Sequence, residues 1–368
     1  MKKNRSASSL ALKGFVLCAG RGTRFYPHTR IRPKSLLPVL NIPLVSYNLY
    51  LLKLLGVKDY AVNIHAHAGF LKEELRKQAA KAALSSPVFS YEEKLLGSAG
   101  GLLKLKDFFE QSRGGGGKKE EPFFYLNGDS FIWPESEESL RDFYFSHLES
   151  GGLASFLVKP TDKKKGVLWA DDQHQIHSFV TKPLRKGIKS FDFSGLALFS
   201  PWILKEIPSA AHHIFKDVLE SDRLKPHLKV YPVSNLKLLS MNELHSYLDG
   251  TKQILKTLQA EKQERQTRGE KGGYAFFIRN ILDCFSPGWD FFQAENYFSA
   301  TKIKKPAVKG EDILFCGSRV KGLEYLSIRD FAVLGDDAVL KKEAVITRSV
   351  VGEGGLSVDT SLKNTLLL

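Results

Sequence analysis

The stretch Gly14–Pro43, GFVLCAGRGTRFYPHTRIRPKSLLPVLNIP, decides how the rest of the chain is read. It opens with an apolar run, Phe15–Ala19, passes into Gly20 and Gly22 with Thr23 and Arg24, and carries a Pro33-Lys34 pair ahead of a second apolar run. This is the pattern of a strand, a loop of phosphate size and a cation. Glycine lets the main chain turn with φ > 0 and lets a ligand approach without a Cβ in the way, so successive N–H groups can converge on one anion. Arg24 adds a planar fork of donors and Lys34 a mobile point charge, two different ways of holding phosphate oxygens. A bare Gly-x-Gly is equally at home in an ordinary strand-to-helix turn, so the longer pattern has to separate the two.

Downstream, apolar residues recur at helical spacing from Leu44 to Leu55, with Gly56 where a C-terminal cap belongs. DYAVNIHAH then reads as a buried strand, Gly69–Ala83 as a helix and Pro87–Tyr91 as a short strand. Strand and helix in alternation predict a parallel sheet with covering helices. His65 and His67 fall at a strand's C-terminal end, where open α/β sheets bind ligands, but without acidic neighbours they read first as loop-edge residues. Gly97-Ser98-Ala99-Gly100-Gly101 forms a second loop of small residues before a helix. Arg113–Glu121 is a polar, glycine-rich surface loop. FFYLNGDSFIW is an apolar strand that ends at Asn127, Gly128 and Asp129, and a carboxylate placed there can reach an ion above the sheet.

The 368 residues are 43% hydrophobic and 26% charged, enough for one large domain and a smaller one. No uninterrupted apolar run reaches membrane-spanning length, and residues 1–13 carry too brief an apolar patch for a signal peptide, so they read as a frayed leader. Cys18, Cys284 and Cys316 lie far apart without metal-ligand or Cys-x-x-Cys spacing, which fits a reducing cytoplasm. Cys18 reads as a small buried apolar residue. The net charge of +14 points to polyanionic partners: nucleotides, nucleic acid or a membrane surface. No basic stripe interleaved with aromatics is present, which argues against nucleic acid, and the lack of a span argues against a membrane.

Leu17, Ala19, Gly20, Gly22, Thr23, Arg24, Pro33, Lys34, Leu36 and Pro38 fit L-x-A-G-x-G-T-R followed by P-K-x-L-x-P. On these positions the sequence resembles the sugar-1-phosphate nucleotidyltransferases, over about residues 14–255 and more loosely over 305–368. The resemblance implies a doubly wound, mixed and mostly parallel α/β sheet with a small C-terminal left-handed β-helix domain. It implies an enzyme that joins a sugar 1-phosphate to a nucleoside triphosphate, with release of pyrophosphate, and it leaves room for a homo-oligomer through the C-terminal domain. The alternatives are a non-catalytic paralogue that binds nucleotide or nucleotide sugar, and a cytidylyltransferase acting on a phosphorylated alcohol.

By the same resemblance, Leu17, Ala19, Gly20, Gly22, Thr23, Gly97 and Ser98 line the nucleotide site, Arg24 and Lys34 act on the phosphates, and Asp129 is both catalytic and a Mg2+ ligand. Glu92 falls where family members read the base edge; it is either such a reader or a solvated surface carboxylate. Gly166, Lys182 and Gly195 are placed beside the sugar phosphate. Two departures stand out. Thr181 replaces a common glutamate, and Ser240 falls where a second metal-binding aspartate is usual, Leu238 replacing a tryptophan.

The expected domain organisation is a leader at 1–13, a nucleotidyltransferase domain at 14–255, a charged linker with a packing helix at 256–304, and a β-helix-like domain at 305–368. For the last, branched apolar residues recur about every six positions: Val320, Leu326, Val333, Val339, Val345 and Val351. A small ordinary β-domain is the other reading of that spacing.

Overall fold

The apolar run after Lys13 forms a strand because its β-branched and aromatic residues are wanted on both faces of a sheet. In the computed structural model this is β1 (Lys13–Leu17). The structure describes residues 12–111, 121–134, 136–163, 168–179, 181, 183, 185–239, 241–268, 274–285 and 290–293, then 313–316, 320–321, 323, 326–335, 337–340, 345–352, 357–358, 362–363 and 365–368.

Three single turns of 3-10 helix follow β1, then a hairpin of β2 (Pro38–Val39) and β3 (Ile42–Pro43). Helix α1 (Leu44–Leu54), β4 (Asp59–Ile64), α2 (Ala68–Lys81) and β5 (Val88–Tyr91) come next, as the periodicity predicts. The small-residue run is not a loop: α3 (Gly97–Leu103) begins at its first glycine, and α4 (Lys106–Glu110) follows. Then come β6 (Phe123–Asn127), β7 (Phe131–Trp133), α5 (Glu137–Ser150), β8 (Ala154–Thr161), β9 (Leu168–Ala170), β10 (Ile176–Ser178), β11 (Lys189–Phe199), β12 (Leu228–Pro232) and β13 (Lys237–Leu239). Ser136 caps α5 by accepting from the Ser139 N–H, Glu137 and Glu138 complement the helix dipole, and Gly151 at φ 58 ends the helix.

Contacts divide the chain into two compact units, Met1–Arg21 with Val45–Leu238, and Gly22–Leu44 with Leu239–Leu368. The first is built on a mixed sheet of order β10-β9-β11-β6-β1-β4-β5, with β8 pairing β11 and β12 pairing β8. Its β6-β1-β4-β5 half is parallel, and β11 joins β6 antiparallel. Aromatic side chains fill one face. Phe109 stacks on Phe123 at 4.0 Å, and Phe15 meets Tyr125 edge-on at 6.0 Å. All four are nearly or fully buried, so truncating any one costs about 3–5 kcal/mol.

The second unit holds α6 (Leu244–Arg268), α7 (Tyr274–Phe285), β14 (Asp290–Gln293), β15 (Ile313–Cys316), β16 (Ser327–Leu334), β17 (Val339–Leu340), β18 (Val345–Val351), β19 (Ser357–Val358), β20 (Leu362–Lys363) and β21 (Leu366–Leu367). Helix α6 runs unbroken through Leu255 to Arg268. From β15 onward the strands pair in parallel at offsets of 16 to 18 residues. Ile313 faces Phe331 and Ser327 faces Val345, each 18 residues on, while Val350 faces Leu366, 16 on. An offset of 18 is three times the six-residue spacing of the sequence, a spacing compatible with the coils of a β-helix. Leu326, Val333 and Val351 of that series are fully buried.

Candidate functional site

In the parallel half of the first unit, Leu17 stands in register with Asn63 on one side and Asn127 on the other, and Ile64 with Tyr91. The chain therefore leaves β1, β4, β5 and β6 along one edge, delivering Ala19-Gly20, His65, Glu92 and Asp129 there. Carboxyl ends of parallel strands are where open α/β sheets bind ligands. Ala19 is buried, while Gly20 is exposed, with nothing within 4 Å of where a Cβ would stand. The space beside its main chain is open to a ligand.

Gly97, at the same edge, has φ +73, and a Cβ there would run into the His212 carbonyl. That carbonyl accepts from the Ala99 N–H at 3.0 Å, while Ser98 Oγ accepts from the Ile214 N–H at 3.0 Å. The segment around His212 is itself held by Asp217, whose carboxylate accepts from the His212 and His213 N–H groups, each at 2.8 Å. Those main-chain bonds hold the Asp217 carboxyl below its ordinary range. Behind Ser98 lies Tyr125, fully buried; burial pushes its hydroxyl well above the usual phenol range, the Ser98 hydrogen bond acts against that rise, and the Asp129 charge adds to it.

Glu92 is neither a solvated surface group nor turned outward. It is 1% exposed, and its two oxygens accept from Asn63 Nδ2 at 2.8 Å and the Leu96 N–H at 2.9 Å. With both oxygens engaged inside the protein, the reading of Glu92 as a solvated surface carboxylate is corrected. His65 is likewise turned inward, its Nδ1 2.9 Å from the Glu92 carbonyl oxygen, and His67 sits at the start of α2 with φ 53. Sequence reasoning missed Asn63. Its signal is a lone amide in the apolar run Tyr60–Ile64 of β4.

Asp129 follows β6 and is half-buried. Gly195, buried in β11, lies one step beyond the Leu196–Leu126 pair, where β11 shifts register, with its backbone tight against Ser130. The Ser130 carbonyl accepts from Asn48 Nδ2 at 3.1 Å. Gly166 and Lys182 lie outside the described residues, as does Ser240; Thr181 is exposed.

In the second unit, Gly22 has φ +62 and its carbonyl accepts from the Phe25 N–H and from Thr29 Oγ1 at 2.8 Å. These bonds fold Gly22–Arg30 into tight turns that leave Thr23 and Arg24 exposed. Lys34 is 7% exposed; its Nζ stands 5.7 Å from the Phe25 ring centre and donates to Asn242 Oδ1 at 3.3 Å. Phe25 packs edge-on against Tyr247, whose hydroxyl donates to the Pro38 carbonyl. Asn242, just ahead of α6, is a second residue that the sequence did not single out.

The profile of the nucleotidyl transferase family matches residues 13–244. The chain belongs to that family. Among curated relatives of this nucleotidyl transferase, the UTP–glucose-1-phosphate uridylyltransferase of Synechocystis is 24% identical over 95% of this chain and 90% of its own length. The mannose-1-phosphate guanylyltransferase catalytic subunit beta of Danio rerio is 24% identical over 74% of this chain and 71% of its own. Two solved structures share the fold. A UDP-glucose pyrophosphorylase complexed with UDP-glucose has a TM-score of 0.54 at 14% identity, over 67% of this chain and all of that one. HddC from Yersinia pseudotuberculosis has a TM-score of 0.52 at 20% identity, over 66% and 99%.

Proposed function

We propose that this nucleotidyl transferase joins a nucleoside triphosphate to a sugar 1-phosphate, giving a nucleoside-diphosphate sugar and pyrophosphate. The observation that carries the reading is the gathering of Ala19-Gly20, the Gly97-Ser98 helix start and Asp129 at the carboxyl edge of one parallel half-sheet. The two named relatives, both transferases of nucleotidyl groups to sugar 1-phosphates by name, support the substrate class.

In the step proposed, an oxygen of the sugar phosphate bonds to the α-phosphorus while the bond from that phosphorus to the bridging oxygen breaks, its electron pair leaving with pyrophosphate. Both partners are already oxyanions, so the protein has to align them and neutralise charge, and no general base is required. In the first unit, Leu17, Ala19 and Gly20 would lead the main chain to the nucleotide, Gly97 and Ser98 would flank its base and ribose, and Gly195 would lie by the sugar phosphate. Gly166 and Lys182 are assigned to the sugar phosphate on sequence grounds. In the second unit, Gly22 and Thr23 would offer donors to the triphosphate, Arg24 would hold the departing pyrophosphate, and Lys34 would bridge the reacting phosphates.

Among the described residues no group of three His, Cys, Asp or Glu side chains is gathered closely enough to hold a metal alone. A single strand-end carboxylate, that of Asp129, does fit Mg2+, an ion that takes one or two carboxylates and fills its octahedron with water and substrate phosphates. Asp129 would hold it, and the bound ion would neutralise charge on the triphosphate.

A pyrophosphate-release screen tests the reading: each nucleoside triphosphate is paired with several sugar 1-phosphates, and phosphocholine serves as a phosphorylated-alcohol control. Release that depends on one sugar 1-phosphate supports it; release only with phosphocholine, or none with any pair, contradicts it.

A further inference from the structure

Two main-chain N–H groups in the first unit, those of Cys18 and Leu96, are joined through two buried side chains. Cys18 N–H donates to Asn63 Oδ1 at 2.8 Å, Asn63 Nδ2 donates to Glu92 Oε1 at 2.8 Å, and Leu96 N–H donates to Glu92 Oε2 at 2.9 Å. Asn63 is 3% exposed and Glu92 1%. Cys18 is two residues before Gly20 and Leu96 one before Gly97, so the chain of bonds ties the exit of β1 to the start of α3.

The donors at the two ends dictate which side chains can stand between them. A main-chain N–H cannot accept, so residue 63 must turn an oxygen to Cys18, and an amide then has only its NH2 for residue 92. Residue 92 must therefore accept at both ends, which a carboxylate does and an amide cannot. A third contact comes from α3 itself. A Cβ on Gly101 would stand 2.8 Å from Glu92 Oε1 and 3.0 Å from Asn63 Nδ2, so the helix backbone lies directly on the pair and glycine keeps it there.

We propose that Asn63 and Glu92 are a positioning pair that fixes the glycine exit of β1 against the start of α3, and through them the two main-chain segments assigned to the nucleotide. This rests on the nucleotidyl-transfer reading above. Neither side chain touches substrate; the pair acts through the backbone of Cys18–Gly20 and Leu96–Ser98.

The test exchanges the charge within the pair in the full-length protein. Asn63→Asp alone sets two carboxylates face to face, and Glu92→Gln alone sets an NH2 against a donor. Together they restore every bond: the carboxylate now at position 63 accepts from the Cys18 N–H and from the amide NH2 now at position 92, while that amide's oxygen accepts from the Leu96 N–H. Two quantities are read, amide hydrogen exchange at Cys18 and Leu96 in the ligand-free protein, and KM for each substrate. Each single variant is expected to speed that exchange and to raise the nucleoside triphosphate KM about tenfold or more, with the sugar 1-phosphate KM within about threefold. The double variant is expected to return both to within about threefold of wild type. A double variant as impaired as the singles overturns the proposal, as does an unchanged nucleotide KM in both singles. If a single variant fails to fold, the double decides: it must fold and approach wild type, and its failure overturns the pair. A wild type that turns over no nucleotide sinks the functional reading instead, while the exchange measurement still decides whether the pair holds the two segments.

Discussion

Lys34 Nζ donates to Asn242 Oδ1 across 3.3 Å, tying a residue of the front motif to the residues that lead into α6, 208 positions later. A lysine ammonium on four methylenes is mobile in water, and an amide acceptor on one side with the Phe25 ring on the other narrows its range. Lys34→Ala should therefore lower kcat by about 100-fold or more, as loss of a preorganised charge near a phosphoryl centre does. Asn242→Ala, which leaves the charge and loosens its placement, should cost about tenfold. Steady-state kinetics on both variants checks the order; an Asn242→Ala effect equal to that of Lys34→Ala would mean the amide does more than hold the lysine.

Arg24 is exposed, and the turns that carry it are closed by main-chain and Thr29 bonds rather than by its own side chain. Arg24→Ala is predicted to unfold at the wild-type temperature and to lose nearly all turnover. A folded variant that keeps most of its kcat would remove Arg24 from the reaction.

Gly97→Ala should be costly in both stability and nucleotide affinity. Its φ of +73 disfavours any L side chain, and the new Cβ would meet the His212 carbonyl that also holds the Ala99 N–H. Strain of that kind costs about 1–3 kcal/mol, which at a domain of this size lowers Tm by several degrees. Gly151→Ala is the control, since φ is also positive there but nothing lies within 4 Å. Equal Tm losses for the two would show that backbone strain alone matters and that the His212 contact does not.

His147 sets an expectation for acid. It is 4% exposed, its Nδ1 lies 2.9 Å from Ser155 Oγ, and burial pushes its pKa down to about 4. An unfolded histidine titrates near 6.5, so between those values the unfolded chain binds more protons than the folded one. The contribution is complete above pH of about 6.5 and is lost as pH falls toward about 4. Going from pH 7 to pH 5 should remove about 2 kcal/mol through this residue. Urea unfolding of wild type and His147→Gln at both values checks it: the variant should lose measurably less on acidification.

Much of the scaffold is legible in the sequence because its signals are local. The run Phe15–Ala19, the helical spacing of Leu44–Leu55 and the apolar DYAVNI each declare an element within a dozen residues, and the six-residue recurrence after Val320 becomes an 18-residue strand offset. Gly97–Gly101 reads as a loop because glycine and serine are weak helix formers; α3 starts there on a bond from the Ala99 N–H to the His212 carbonyl and one from the Ile214 N–H to Ser98 Oγ, more than 100 residues away. Glu92 escapes a local reading for the same reason, since its burial depends on Asn63 and on the absence of a side chain at Gly101.

Asp129 carries a prediction about the ion. With its carboxylate assigned to Mg2+, Asp129→Asn should raise the magnesium concentration needed for activity. A magnesium titration in which the variant matches wild type would discard the assigned site.

The most direct measurement follows isotope rather than rate. A sugar 1-phosphate whose non-bridging phosphate oxygens are 18O is turned over with unlabelled nucleoside triphosphate, and both products are weighed by mass spectrometry. Attack by a sugar-phosphate oxygen on the α-phosphorus predicts that every heavy oxygen appears in the nucleoside-diphosphate sugar and none in pyrophosphate. Heavy oxygen in the released pyrophosphate, or pyrophosphate formed without any nucleoside-diphosphate sugar, would contradict the account.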